Sequence, residues 1–120
     1  MKSKKNQNEK VSLVYTTYYL PVALDDLRDI MRYITHDLGS PRAAENLLLK
    51  IDKEVQKIAE NPFRCRLYAS SENFKYEYRV LRVNNYSVFY VAEKEKIEIH
   101  RVIYSKRNIP PMLKEQKNGD

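Results

Sequence analysis

The spacing of apolar positions along the chain changes twice. Residues 11–20, VSLVYTTYYL, are crowded with β-branched and aromatic side chains and predict a strand. Pro21 then suits the first turn of a helix, where its missing N–H costs nothing. From there Leu24, Leu27, Ile30, Met31, Ile34 and Leu38 recur at helical spacing and make one apolar stripe. Asp25, Asp26 and Asp29, near the start of that helix, are placed to complement its dipole. Gly39 stops it, and Ser40-Pro41 opens a second helix with serine as N-cap and proline at the first helical position. Ala44, Leu47, Leu48, Ile51, Val55 and Ile58 form the second stripe, and Asn61-Pro62 closes it. Two amphipathic helices joined this tightly run antiparallel, as a hairpin packed on a sheet.

From residue 76 the period falls to two. Tyr76, Tyr78 and Val80 point one way, while Arg79, Leu81 and Val83 point the other. Asn84-Asn85 supplies a turn, because asparagine tolerates the positive φ of a two-residue hairpin. Residues 86–92 are apolar or aromatic on both faces except for Ser87, so this strand is expected inside the sheet. The charged run Glu93-Lys94-Glu95-Lys96 makes a second turn. Residues 97–104 form the last strand, with Ile97, Ile99 and Ile103 expected to face opposite to Val102. Between helices and meander, residues 63–75 read as a loop with a short strand. The predicted architecture is a single α+β domain over residues 11–109. An N-terminal strand and an antiparallel two-helix hairpin precede a three-stranded antiparallel meander, with the helices on one sheet face. A disordered basic tail (residues 1–10) and a flexible end (residues 110–120) flank it.

Charge sharpens this picture. The chain carries 22 Lys and Arg against 16 Asp and Glu, a net +6. The excess is divided as +3 over residues 1–10, −2 over 11–61, +5 over 62–109 and zero over 110–120. Apart from the N-terminal tail, the positive charge therefore belongs to the meander, which by its field alone favours an anionic partner. Cys65 is the single cysteine, so no internal disulfide forms, as expected in a reducing cytoplasm. No apolar run is long enough to span a bilayer. His36 and His100 lie far apart and give no metal-ligand spacing. Neither a metal nor a cofactor is expected, and two glycines exclude a glycine-rich phosphate loop.

The remaining candidate chemistry is cationic and aromatic: Arg79, Arg82, His100, Arg101, Lys106 and Arg107, with Tyr78, Tyr86, Tyr90 and Tyr104. Arginine could grip phosphates while tyrosine stacks on unpaired bases. A cation could also stabilise charge on a scissile phosphate while tyrosine or histidine moves the 2′-hydroxyl proton. The ordinary reading makes the tyrosines sheet core, His100 a half-buried packing residue, and Arg82 and Arg101 solvated charge. Lys106 and Arg107 stand apart, because they follow the last strand with no acidic neighbour in sequence.

The run YRVLRVNNYSVFYVAEKEKIEIHRVIYSKRNI resembles the C-terminal half of RelE/ParE superfamily toxins from type II toxin–antitoxin pairs. The likeness rests on Arg79, then Tyr86, Phe89 and Tyr90, then the stretch from Arg101 to Asn108, and it extends over residues 13–109. It implies a growth-arresting toxin neutralised by an acidic cognate antitoxin. Its target would be DNA gyrase or ribosome-bound mRNA. For mRNA cleavage the implied catalytic residues are Arg79, Tyr104, Lys106 and Arg107; for target binding in either case they are Arg79, Arg101, Lys106 and Arg107. The ribosome-dependent RNases carry an arginine after the tyrosine that opens the central strand, where this chain has Ser87. They also place a tyrosine near the C-terminal end, and none follows Arg107 here, although Arg107 itself matches their post-strand arginine. The gyrase-poisoning branch is similar in its long helical hairpin and its strand-end pattern, with Tyr104 replacing histidine. Gyrase poisoning is therefore the expectation, RNase activity the alternative, and a non-toxic basic nucleic-acid-binding module the third reading.

Overall fold

The computed structural model describes residues 14–68 and 75–105. Lys106, Arg107 and both terminal tails lie outside the described residues. Strand β1 (Thr16–Tyr19) leads directly into helix α1 (Pro21–Arg32), which continues as a π-helical turn (Tyr33–Asp37). Helix α2 (Pro41–Glu60) returns antiparallel to α1, and the meander follows as β2 (Arg79–Val83), β3 (Tyr86–Glu93) and β4 (Lys96–Tyr104). Among the described residues no helix is long and apolar enough to cross a membrane.

The helix signals in the sequence act as expected at most positions. Pro21 and Pro41 both stand in first turns, and the Ser40 hydroxyl accepts the Ala43 N–H at 3.3 Å. Gly39 takes φ +68°, the left-handed conformation that ends the first helical segment. The aspartates depart from expectation. None lies in the first turn of α1; Asp25 pairs with Arg28, Asp29 with Arg32, and Asp26 reaches across to the sheet.

The stripes are also narrower than their sequence spacing. Ala23, Leu27 and Ile34 of the first segment are buried, but Leu24 is 46% and Leu38 59% exposed. Ala23 sits one residue before Leu24 and four before Leu27, so it occupies the inward position instead. At the other end the Leu38 N–H bonds to the Tyr33 carbonyl, five residues back. That extra residue in the turn holds back the helical phase and carries Leu38 off the stripe. On α2, Ala44, Leu47, Ile51, Val55 and Ile58 are buried, while Leu48 is partly exposed.

The sheet runs β1-β4-β3-β2, so β3 is interior as expected. β1 adds in parallel beside β4, with Thr16 opposite Lys96 and Tyr19 opposite Ile99. The meander turns depend on positive φ at Asn84 (52°), Lys94 (54°) and Glu95 (64°). The last two match a two-residue hairpin geometry that asparagine or glycine would adopt more easily.

One expectation about the last strand fails. Phe89 pairs with Arg101 but Tyr90 pairs with Ile99, so His100 is an extra residue in β4, a β-bulge. The bulge reverses the alternation beyond it. Ile97, Ile99 and Val102 therefore share the helix-facing core with Leu81, Val88 and Tyr90, while Ile103 faces the opposite side. The opposite face is partly covered too. Tyr68 stacks edge-on against Phe89 at 5.2 Å, and Tyr78, Val91 and Ile103 complete a second apolar cluster. Leu67 forms an isolated bridge to Arg79, a one-residue contact where a short strand was expected among the described residues of that loop.

β1 accompanies β4 only as far as Ile99, where the Leu20 N–H meets the Ile99 carbonyl. Beyond that point Asp26 continues the contact. Its Oδ2 accepts the Val102 N–H at 2.9 Å and Arg101 Nε at 2.7 Å, while Oδ1 accepts Arg101 Nη2 at 2.8 Å. Replacing Asp26 with Ala strands both the guanidinium and an edge N–H, and should cost about 2–4 kcal/mol. In urea unfolding, an Asp26→Ala/Arg101→Met double variant should be more stable than Asp26→Ala alone, because the unpaired charge is gone.

Candidate functional site

The end of the meander where Ser105 leaves the sheet collects several of the predicted residues. The Ser105 N–H bonds the Asn85 carbonyl at 2.7 Å, and its hydroxyl lies 3.1 Å from that of Ser87. These contacts fix the point from which Lys106 and Arg107 depart. Tyr104, 37% exposed, leans edge-on against Tyr86 with ring centroids 5.7 Å apart. Both tyrosines border a groove of about 860 Å³ between α1 and the free edge of β4. Ile30, Ile34, Leu47 and Val102 make its apolar lining, Tyr33 and Leu38 its outer lip, and the Asn84-Asn85 turn its far end.

Arg79 is held elsewhere. It stands in the row of Tyr90 and Ile99, four residues along β2 from Val83, which pairs with Tyr86 beside Tyr104. That separation is about 13 Å along the strand. Its Nη1 donates to the Cys65 carbonyl at 2.6 Å, and its guanidinium lies 4.9 Å from the Phe63 ring centroid. Phe63 in turn packs edge-on against Tyr15. Arg79 thus ties the loop after α2 to the sheet. Tyr90 assists from the core, its hydroxyl donating to the Pro62 carbonyl at 3.1 Å, and burial raises its pKa above the usual phenol value.

Arg101 is likewise engaged in the fold by Asp26. Hydrogen bonding to that carboxylate raises the guanidinium pKa above its ordinary value, against the opposing effect of burial. The sequence places Arg79 and Arg101 beside Lys106 and Arg107 in one cationic set. The structure puts Arg79 and Arg101 in adjacent rows with β3 between them, Arg79 opposite Tyr90 and Arg101 opposite Phe89, so they belong to opposite sheet faces. Arg82 is exposed in the row of Ser87 and Ile103, near the end from which the chain leaves.

His100 sits at the bulge, 2% exposed, more deeply buried than expected. Its Nε2 faces Glu98 at 3.4 Å and its Nδ1 lies 3.1 Å from the Tyr78 hydroxyl. A neutral ring protonated at Nε2 satisfies both, donating to the carboxylate and accepting from the phenol. Tyr76 closes over it at 5.1 Å. The side chain is enclosed by aromatic packing, away from the groove. Among the described residues no three His, Cys, Asp or Glu side chains converge in a way that could hold a metal ion.

The description "ParE toxin of type II toxin-antitoxin system, parDE" fits the chain over residues 18–109, from β1 through the stretch that follows β4. The chain belongs to the ParE toxin family. Its fold is also that of a solved protein described as "Chromosomal ParDE TA system from P. aeruginosa". The TM-score is 0.66 at 16% identity, covering 79% of this chain and all of the other. No curated protein matches the chain in sequence. Within this ParE-type frame, the site residue that sequence reasoning missed is Asp26. Nothing distinguishes it from Asp25 and Asp29 until the end of β1 brings it opposite Val102.

Burial of His100 lowers its pKa below the ordinary 6.5, with Glu98 partly opposing the shift. Above the unfolded pKa both states are neutral and pH has no effect through this group. As pH falls below about 6.5, the unfolded chain takes up a proton that the folded one resists, and stability declines. Urea midpoints at pH 7.5 and 5.5 should therefore fall further for the wild type than for His100→Gln. Equal slopes would show that His100 does not titrate against the fold.

Proposed function

We propose that this ParE-family protein arrests bacterial growth by poisoning DNA gyrase without itself catalysing a reaction, and that an acidic antitoxin neutralises it. The observation that carries the proposal is the engagement of Arg79 and Arg101 in the fold. Cleavage of RNA would need cations free to follow charge developing on a phosphate, together with a group to move a proton. Arg79 bonds the Cys65 carbonyl, Arg101 is clamped by Asp26, and His100 lies under Tyr76. Ser87, paired with Ser105, stands where the RNase branch carries an arginine. Basic residues at the end of the meander would instead serve as a docking surface, with Lys106 and Arg107 leaving from an anchored Ser105. The antitoxin would cover that surface through an acidic segment that folds on binding.

The partial exposure of Tyr104 favours a second reading, an mRNA endonuclease in which this phenol and the two following cations act on RNA. Timing separates the two. On induction in a bacterium, DNA synthesis should fail before protein synthesis, with filamentation and a damage response. Loss of protein synthesis first, with mRNA cut within translated codons, would establish the RNase reading. Normal growth with verified soluble protein would leave the basic nucleic-acid-binding module.

Side-chain replacements test the surface itself. Lys106→Ala/Arg107→Ala should change stability by no more than about 0.5 kcal/mol per residue. If these cations contact an anionic target, each loss should weaken binding by about 1.5–3 kcal/mol, roughly tenfold or more, and abolish growth arrest. Arg79→Ala should lower the melting temperature as well, because the Cys65 and Phe63 contacts go with it. A double Lys106/Arg107 variant that melts like the parent and still arrests growth would remove these residues from the target surface.

A further inference from the structure

The sheet face turned away from the helices carries a cation that the fold does not use. Residues 79–92 and 99–105 of the meander contain three arginines and no Asp or Glu. Arg79 is engaged by the Cys65 carbonyl and Arg101 by Asp26. Arg82 is exposed, and no hydrogen bond or ion pair engages it among the described residues. We propose that Arg82 and the hydroxyl pair of Ser87 and Ser105 form a binding site for a phosphate group. The site stands apart from the choice between gyrase and RNA as target.

Register brings these residues together. Arg82 and Ser87 lie directly opposite on β2 and β3, and Ile103 faces Ser87 from β4. Leu81, Val83 and Val88 point to the helices, so by alternation Arg82 and Ser87 point to the other face. Opposed residues on an antiparallel pair have Cβ atoms about 4.5–5.5 Å apart, well within reach of an arginine side chain. The bond from the Ser105 N–H to the Asn85 carbonyl, 2.7 Å, holds Ser105 beside Ser87, and their hydroxyl oxygens are 3.1 Å apart. Three polar side chains, from β2, β3 and the end of β4, thus share one corner of this face.

Their donors suit a tetrahedral anion. Two hydroxyls that share a single hydrogen bond use one of their two protons. Ser87 is 7% exposed and Ser105 only partly buried. Ser87 is satisfied by donating to Ser105, which leaves the Ser105 O–H as a donor at the more open end. The guanidinium fork of Arg82 presents two parallel N–H groups, and the hydroxyl adds a third donor from another direction. A carboxylate is satisfied by the fork alone, whereas a phosphate offers further oxygens for the hydroxyl.

The surroundings favour negative charge as well. On the helix side of the same turn Lys50 Nζ donates to Asn84 Oδ1 at 2.8 Å, adding a second cation. Glu98, on the same face, pairs with Val91, four positions along β3 from Ser87 and about 13 Å away, and it is turned to His100. Ser87 and Ser105 are already held in place by the sheet and its turn, so mainly the Arg82 side chain has to be ordered on binding.

Amide and arginine side-chain NMR of the full chain tests the site, with inorganic phosphate titrated against chloride and acetate at matched ionic strength. Phosphate should shift the Arg82 Nε–H and the Ser87 and Ser105 amides along a saturating curve that chloride and acetate do not reproduce. Arg82→Gln should melt like the parent and weaken phosphate binding roughly tenfold or more. Arg82→Lys, which keeps the charge but not the fork, should recover only part of that loss. Thymidine monophosphate and a short oligothymidylate then identify the source of the group. Equal affinity for the two assigns the site to a free nucleotide; tighter oligonucleotide binding, lost in Arg82→Gln, assigns it to a nucleic-acid strand. Acetate matching phosphate, or phosphate affinity unchanged in Arg82→Gln, would overturn the proposal.

Discussion

The contact between Asp26 and β4 is the constraint on which the arrangement of helices and sheet depends. β1 ends at Tyr19, and a sheet edge that simply stopped there would leave the rest of β4 with an unsatisfied backbone next to α1. The Asp26 carboxylate instead continues the edge, accepting the Val102 N–H while both of its oxygens hold Arg101. One side chain thereby fixes the rotation of α1 about its axis. Ala23, Leu27 and Ile34 are then turned inward, and Leu24 outward. The same rotation sets the width of the groove, since Asp26 lies at one of its walls and Val102 on its floor.

The bulge at His100 is the second organising feature. Without the extra residue, Val102 would face away from the helices and its N–H away from Asp26. With it, Ile97, Ile99 and Val102 enter one core and Ile103 enters the other. The bulge also places His100 where Glu98 and Tyr78 can satisfy both ring nitrogens. A polar residue at a backbone irregularity here supports packing on the second sheet face, the ordinary reading of His100 from sequence, though more deeply buried than that reading expected.

Much of this architecture is legible in the sequence, because it rests on local periodicity. The proline-led helices, the Asn84 turn, the two-faced strand at residues 86–92 and the orientation of Tyr78 against Leu81 all follow from spacing. What is not legible depends on long-range register. The bulge changes no residue type, so alternation alone places Val102 opposite Ile99. The π-helical turn leaves Leu38 at helical spacing from Ile34 while shifting its direction. The arginines show the same limit at the candidate site. Arg79, Arg82 and Arg101 look alike as strand cations, yet the structure gives the first to a loop carbonyl, the third to an aspartate, and leaves the second in solvent.

The position of β4 governs how the chain can reach this state. The last strand among the described residues lies between β1 and β3, and Thr16 pairs with Lys96. That pairing spans eighty residues, 16 to 96, so it forms slowly compared with the local helix hairpin and the β2–β3 turn. Until β4 inserts, β1 has no neighbour in the sheet, Asp26 has no guanidinium, and the apolar stripes of α1 and α2 are only half covered. A nascent chain that stops short of Lys96 therefore cannot assemble either the core or the surface from which Lys106 and Arg107 emerge. Interrupted translation would release fragments prone to aggregation and proteolysis.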